Sequence, residues 1–182
     1  MNNIESHISI QYFQHTYAEF ILGSYNNALC LCDFRYRTMR NAVDRRVQQS
    51  LNANFVEQTS NVIEMTKVQL NDYFVGKRQN FDIQLITAGS DFQKTVWRAL
   101  QTIGYGTTVS YKQLAAAINN PDGVRAVGTA NGANALAIVI PCHRVIASDG
   151  TLGGYAGGLA LKKRLLSLEQ KAQQYTTIPN KE

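Results

Sequence analysis

Several things are scarce in this chain of 182 residues, and each absence narrows the reading. No apolar run approaches the roughly 18 to 20 residues that span a bilayer, so a membrane helix is not expected. The start, Met1-Asn2-Asn3-Ile4-Glu5, lacks the basic and apolar regions of a secretory signal, which points to the cytoplasm. Cysteine is limited to Cys30, Cys32 and Cys142, an odd count at unrelated spacings that argues against a disulfide framework and leaves Cys142 a free thiol. No repeat, low-complexity tract or heptad pattern occurs, which excludes solenoids and coiled coils. Charged residues make up only 17% against 45% hydrophobic, so the chain can bury a sizeable core and is no disordered polymer. Its length fits one domain or two small ones.

Acidic charge is scarcer than basic, 13 residues against 18 for a formal net charge of +5. The imbalance sits mainly beyond residue 100, where eight basic groups face four acidic ones. Such a field favours an anionic partner, of which nucleic acid is the commonest. The balance is modest, and motifs must decide.

The first hundred residues read as mixed α and β. Alternation at Ile8, Ile10 and Tyr12 is followed by apolar runs at Phe20–Leu22 and Leu29–Cys32, with a hairpin turn expected across Gly23–Asn27. The arginines from Arg35 to Arg46 are interrupted by Asp33 and Asp44 and read as a solvated surface without a site. A helix is predicted over 60–75, ended by Gly76, and a strand at Phe81, Ile83 and Leu85. Ala88-Gly89-Ser90 is the expected linker, where the pattern changes from period two to 3.6. Ser90 with Gln93, and Ser110 with Gln113, are two S-x-x-Q capping boxes. The first opens a helix to about Ile103 and the second a helix stopped by Asn119–Gly123. A thin helix from Val124 to about Asn131 completes a helix-turn-helix. Three segments follow: 1–88, 89–175 and a tail at 176–182.

The chemistry gathers further on. Ala135–Ile140 reads as a fully buried strand that ends in Pro141-Cys142-His143-Arg144-Val145, where proline forces a sharp turn and delivers a thiol to the edge of a core. Composition alone leaves Cys142 open between an inert buried thiol and a nucleophile. His143 and Arg144 beside it favour a thiolate, although neighbours in an extended segment face opposite ways. In the helix after Gly157-Gly158, Glu169 continues the row of Leu161 and Leu165, while Lys162 and Lys163 face elsewhere. A buried Glu169 needs a partner, and histidine is the natural one. A Cys, His, Glu arrangement results, in which the acid orients the imidazole and the imidazole helps deprotonate the thiol.

Ile140-Pro141-Cys142-His143-Arg144-Val145, with Arg125-Ala126-Val127-Gly128 upstream and Gly154-Tyr155-Ala156-Gly157-Gly158-Leu159 downstream, resembles the O6-alkylguanine-DNA alkyltransferases, closely from about Phe92 to Glu169. The resemblance implies an α+β fold. A small ribonuclease-H-like N-terminal domain of sheet and helices precedes a mostly helical C-terminal domain with a helix-turn-helix, winged-helix-like DNA-binding core.

It also implies a protein that flips O6-methylguanine, and potentially O4-methylthymine, out of double-stranded DNA and moves the alkyl group irreversibly onto Cys142, without a cofactor. His143 acts as base through a water, Glu169 orients it, and Asn134 bonds backbone near the active-site turn. Tyr111 assists flipping and contacts the base, and Arg125 enters the stack. Ala126, Gly128, Ala130 and Gly132 permit close approach of the second helix in the minor groove. Lys112, Asn120, Gln93 and Ser148 match phosphate contacts, and Tyr155, Ala156, Gly157 and Val145 the base pocket. Many relatives carry serine at the position of Ala156, so a hydroxyl contact to O6 is missing here. The family default is a monomer.

Some relatives bind a structural zinc. His7, His15, Cys30 and Cys32 are the conceivable ligands, but Cys30 and Cys32 alternate as strand neighbours do, and no metal is expected. The rival readings are a lesion-binding alkyltransferase-like protein without transfer, a helix-turn-helix regulator and a cysteine hydrolase. The first replaces the acceptor cysteine that is present here. Regulators carry polar base-reading side chains where this second helix has small ones.

Overall fold

Alternation in the first half of the chain builds a mixed four-stranded sheet. The computed structural model describes residues 7–176; of the tail expected at 176–182, all but Thr176 lies outside them. Strands β1 (His7–Gln14), β2 (Glu19–Tyr25) and β3 (Ala28–Phe34) run antiparallel, and β4 (Asn54–Glu57) joins β1 in parallel, for the order β3-β2-β1-β4. Helices α1 (Arg40–Leu51) and α2 (Asn61–Phe74) cover different faces. Successive strand residues point to opposite sides, so Phe20 and Leu22 pack with Ile63 and Leu70 of α2, while Ile21 packs with Val43 and Val47 of α1.

The hairpin turn is tighter than expected. Asn26 and Asn27 alone form it, with φ of 48° and 59°, the left-handed geometry that two-residue hairpins need. Gly23 and Ser24 stay inside β2 at a register shift, and a Cβ on Gly23 would lie 2.9 Å from that of Leu31. Helix α2 falls where predicted, capped by Ser60 and followed by Gly76 at φ 74°.

The strand expected at Phe81–Leu85 does not form; only a single bridge joins Leu85 to Leu29. The Gln69 side chain accepts from the Asp82 N–H at 2.9 Å, so the start of the segment is tied to α2, while its end meets β3 through Leu29 N–H to the Gln84 carbonyl at 2.8 Å and Ile86 N–H to the Leu29 carbonyl at 2.9 Å.

The second half carries α3 (Asp91–Leu100), β5 (Val109–Ser110), α4 (Tyr111–Ala117), α5 (Val124–Gly132), a 3-10 turn at Cys142–Arg144, β6 (Val145–Ile146) and α6 (Leu159–Thr176). Both capping boxes close as read, with serine and glutamine satisfying each other's backbone donors. Helix α3 stops at Leu100, one turn before Ile103.

Ala135–Ile140 is buried as expected but is not a strand. It folds back in a turn closed by Ile140 N–H to the Leu136 carbonyl at 2.8 Å, with Ile138 at φ 71°. A β-branched residue rarely adopts that conformation. Asn134 holds it, accepting from Leu136 N–H and donating to the Ile140 carbonyl, each at 2.9 Å.

One apolar cluster runs from Phe20 and Leu70 through Trp97 and Val127 to Ile140, Cys142 and Leu165, so the cysteine turn is packed between the two halves of a mixed α+β fold. Among the described residues no helix is long and apolar enough to cross a membrane.

Candidate active site

Proline sets the turn at Cys142. Pro141 sits at φ −81° and ψ 61°, an inverse γ-turn closed by Cys142 N–H to the Ile140 carbonyl at 2.8 Å. The next three residues form a 3-10 turn instead of the extended segment considered from sequence, so the alternation argument separating Cys142 from His143 does not apply. Cys142 is 5% exposed. Burial pushes its thiol up to about 11, against an opposing hydrogen bond from Asn134. The expectation that His143 and Arg144 favour a thiolate is therefore not met in the resting protein: Arg144 is committed elsewhere, and desolvation dominates.

Arg144 and His143 both turn to Glu169, which is fully buried on α6. His143 Nε2 lies 2.9 Å from Glu169 Oε1, and Arg144 donates to both carboxylate oxygens at 3.0 Å. Tyr73 donates at 2.7 Å and the Gly106 N–H at 3.0 Å. Burial alone would raise the Glu169 carboxyl, but the bonds from His143 and Arg144 outweigh it and hold it at about 2.

An ionised carboxylate only accepts, so His143 presents Nε2–H to it and keeps the lone pair on Nδ1. That Nδ1 is buried with no hydrogen-bond partner among the described residues. Burial lowers the His143 pKa more than Glu169 raises it, and the ring is neutral at pH 7. Tyr73 was missed in the sequence because it lies 96 residues from its carboxylate.

Above the turn opens a cleft of about 670 Å³. Tyr111, Arg125, Gly128, Tyr155 and Ala156 line it, five residues that the sequence singled out, and Gly132 does so too. Asn131, another lining residue, donates to the Cys142 carbonyl at 3.4 Å, which places the turn directly beneath. Tyr111 is half-buried and its phenol is raised by burial and by the neighbouring Cys142, so it stays protonated and able to donate. A Cβ on Gly153, at φ 65°, would lie 3.1 Å from the Tyr111 hydroxyl. Gly157 lies behind the cleft, where a Cβ would meet Leu161 at 2.6 Å and Phe34 at 2.9 Å. Val145 is fully buried and contributes its carbonyl to Lys162.

Other expected positions are scattered. Ala126, Lys112 and Ser148 are exposed. Gln93 closes the cap of α3, and Asn120 packs in the turn before α5 against Gly123. Ala130 corrects the expectation of an exposed small surface: it is buried, on the core side of α5, where its carbonyl accepts from the Trp97 indole at 2.9 Å. His7 bonds to Gln58, His15 stacks on Phe74, and Cys30 and Cys32 are buried in β3. No group of three or more metal-ligating side chains occurs among the described residues.

Two readings of basic residues are corrected. The arginine-rich segment is a solvated surface only in part: Arg45 is exposed and Arg35 partly so, but Arg37 is buried, paired with Asp33 at 2.6 Å, and reaches the cleft with Thr38 and Met39. Arg40 pairs with the same carboxylate at 2.9 Å. Lys162 does not face outward either; it is fully buried and donates to the carbonyls of Val145 at 2.6 Å and of Leu152. Burial lowers its pKa to about 8, with nearby Cys142 opposing. The partners of Lys162 are carbonyls, which carry no side-chain pattern, so nothing local marked it as buried, whereas Asp33 four residues before Arg37 was a local sign that was read as an interruption.

Residues 91–171 match the family described as 6-O-methylguanine DNA methyltransferase, DNA binding domain. Methylated-DNA--protein-cysteine methyltransferase of Methanosarcina barkeri is 56% identical over 102 residues, 56% of this chain and 65% of that protein. The protein of the same name from Methanosarcina mazei is 47% identical over 119 residues, 65% of this chain and 71% of that one. This chain thus spans less than two thirds of the first of these relatives. Among solved structures, Mycobacterium tuberculosis OGT in complex with DNA superposes with a TM-score of 0.77 at 35% identity, over 90% of this chain and 94% of that one. With the cysteine turn, its carboxylate-held imidazole and the cleft above them in one place, the chain belongs to the methylated-DNA–protein-cysteine methyltransferase family.

Proposed function

We propose that this protein repairs DNA by taking the alkyl group of O6-methylguanine onto Cys142, once per molecule. One observation carries the reading: a thiol beneath a base-sized cleft is followed directly by a neutral imidazole, fixed through Nε2 by Glu169 and open at Nδ1. With the thiol held at about 11, only about one molecule in ten thousand carries a thiolate at pH 7. The reaction therefore needs a base at the moment of transfer, and Nδ1 supplies it through a bridging water.

Sulfur attacks the methyl carbon, the S–C bond forms as the C–O6 bond breaks, and the thiol proton passes to His143. The electron pair left on O6 is stabilised by the Tyr111 hydroxyl and by amides around Tyr155–Ala156, and guanine takes up one proton to complete the balance. The thioether is not reversed by thiols, so each molecule acts once and needs no cofactor.

The α4–α5 pair serves as the helix-turn-helix, in a winged-helix-like arrangement over 89–175 beside a ribonuclease-H-like unit over 1–88. Helix α5 enters the minor groove with Ala126 and Gly128 against the backbone, and Arg125 fills the gap left by the extruded base. Lys112, Asn120, Gln93 and Ser148 meet phosphates, and the protein works as a monomer. O4-methylthymine fits the same chemistry.

The test is mass spectrometry of the protein after mixing with excess duplex containing one O6-methylguanine. A gain of about 14 Da, one methyl replacing hydrogen, on Cys142 and saturating at about one per molecule is expected. Binding without any adduct would favour lesion recognition alone, and catalytic loss of the methyl group would point to another enzyme class.

A further inference from the structure

Helix ends leave their last carbonyls unpaired, and partial negative charge collects there. The end of α5 lies against the first half of the chain, which answers it with cations. Arg37 donates to the carbonyls of Gly132 at 2.7 Å and Asn134 at 3.1 Å, and Arg46 donates to that of Ala133 at 2.5 Å. Each guanidinium is itself held. Arg37 pairs with Asp33. Arg46 donates through Nε to the Ala88 carbonyl at 3.0 Å and lies 5.6 Å from the centre of the Trp97 ring. Trp97 in turn bonds to α5 at Ala130.

The clamp therefore joins α1, the Ala88 segment and α3 to one end of α5. Arg125 stands near the other end, in the cleft. Asn134, whose carbonyl the clamp grips, is also the residue whose side chain holds the turn leading to Cys142. We infer that Arg46, with Arg37, is a positioning residue that keeps α5 in register with the acceptor turn, so that a nucleotide displaced by Arg125 meets the Cys142 sulfur. This gives the first half of the chain a part in the reaction, and it rests on the transfer reading above. Arg46 is the informative member because it lines no part of the cleft, whereas Arg37 does.

Arg46→Gln and Arg46→Lys test the inference against the unsubstituted protein. Three quantities are measured: the single-turnover rate of Cys142 methylation at saturating O6-methylguanine duplex, the affinity for unmodified duplex, and the rate at which iodoacetamide labels Cys142 without DNA. For Arg46→Gln the first falls about tenfold, the worth of one charge-assisted hydrogen bond, while the other two stay within about twofold. Arg46→Lys, which keeps the cation, recovers part of the rate. An unchanged methylation rate in Arg46→Gln overturns the inference. A parallel fall of methylation and iodoacetamide labelling also does so, since it marks general loss of structure. No methylation of Cys142 in the unsubstituted protein refutes the transfer reading itself, and the clamp with it.

Discussion

Glu169→Gln separates the charge of the buried carboxylate from its shape. In the native site the carboxylate accepts from His143, Arg144, Tyr73 and the Gly106 N–H. Glutamine fills the same space but leaves the Arg144 guanidinium without a counter-ion, and breaking a buried pair in this way costs about 3 kcal/mol or somewhat more. Linkage gives a similar figure. The carboxyl moves from 4.5 in the unfolded chain to about 2 when folded, which corresponds to about 3 kcal/mol of stability at neutral pH. Because the folded value is depressed, that stability is present in full above the unfolded pKa and drains away as pH falls toward 2. The gap between the native protein and Glu169→Gln should therefore narrow by about 2 kcal/mol between pH 7 and pH 3. Urea unfolding followed by Trp97 fluorescence at several pH values measures it. A gap that is negligible at pH 7, or the same at pH 7 and pH 3, would refute the account of a carboxylate held ionised by its neighbours.

The remaining predictions concern the reaction and the packing behind the cleft. His143 must be unprotonated at Nδ1 and burial holds its pKa below 6.5, so the single-turnover rate should stay level down to that pH and decline only beneath it; a midpoint above 6.5 would contradict this. Cys142→Ser should form no methyl adduct while binding duplex as before, whereas Arg125→Ala should slow transfer from duplex more than it weakens affinity for unmodified DNA, as gel shift and adduct mass would report. Gly157→Ala drives a Cβ into Leu161 and Phe34 and should cost about 1–3 kcal/mol in unfolding experiments; an unchanged stability would refute the close packing there.

The sequence by itself determined whatever depends on residues close together along the chain. Ser90 with Gln93 and Ser110 with Gln113 close their caps because one helical turn brings a serine and a glutamine to the same backbone donors. Glu169 is buried because it continues an apolar row at helical spacing, and Cys142 sits at a turn because Pro141 allows little else. An apolar run, by contrast, states that a segment is buried but not what path its backbone takes. Ala135–Ile140 became a turn through the Asn134 side chain, and Phe81–Leu85 meets the sheet at a single bridge, its Asp82 N–H being taken by Gln69 on α2.

Only the tertiary structure decided where Arg37, Arg46 and Lys162 go. Each donates to backbone carbonyls, those of Gly132, Ala133 and Val145 among them, and for the arginines the carbonyls at the end of α5 lie 87 or more residues away. Every residue carries a carbonyl, so its availability leaves no mark in composition or periodicity. It exists only once a helix has ended and turned its unpaired oxygens toward a neighbour.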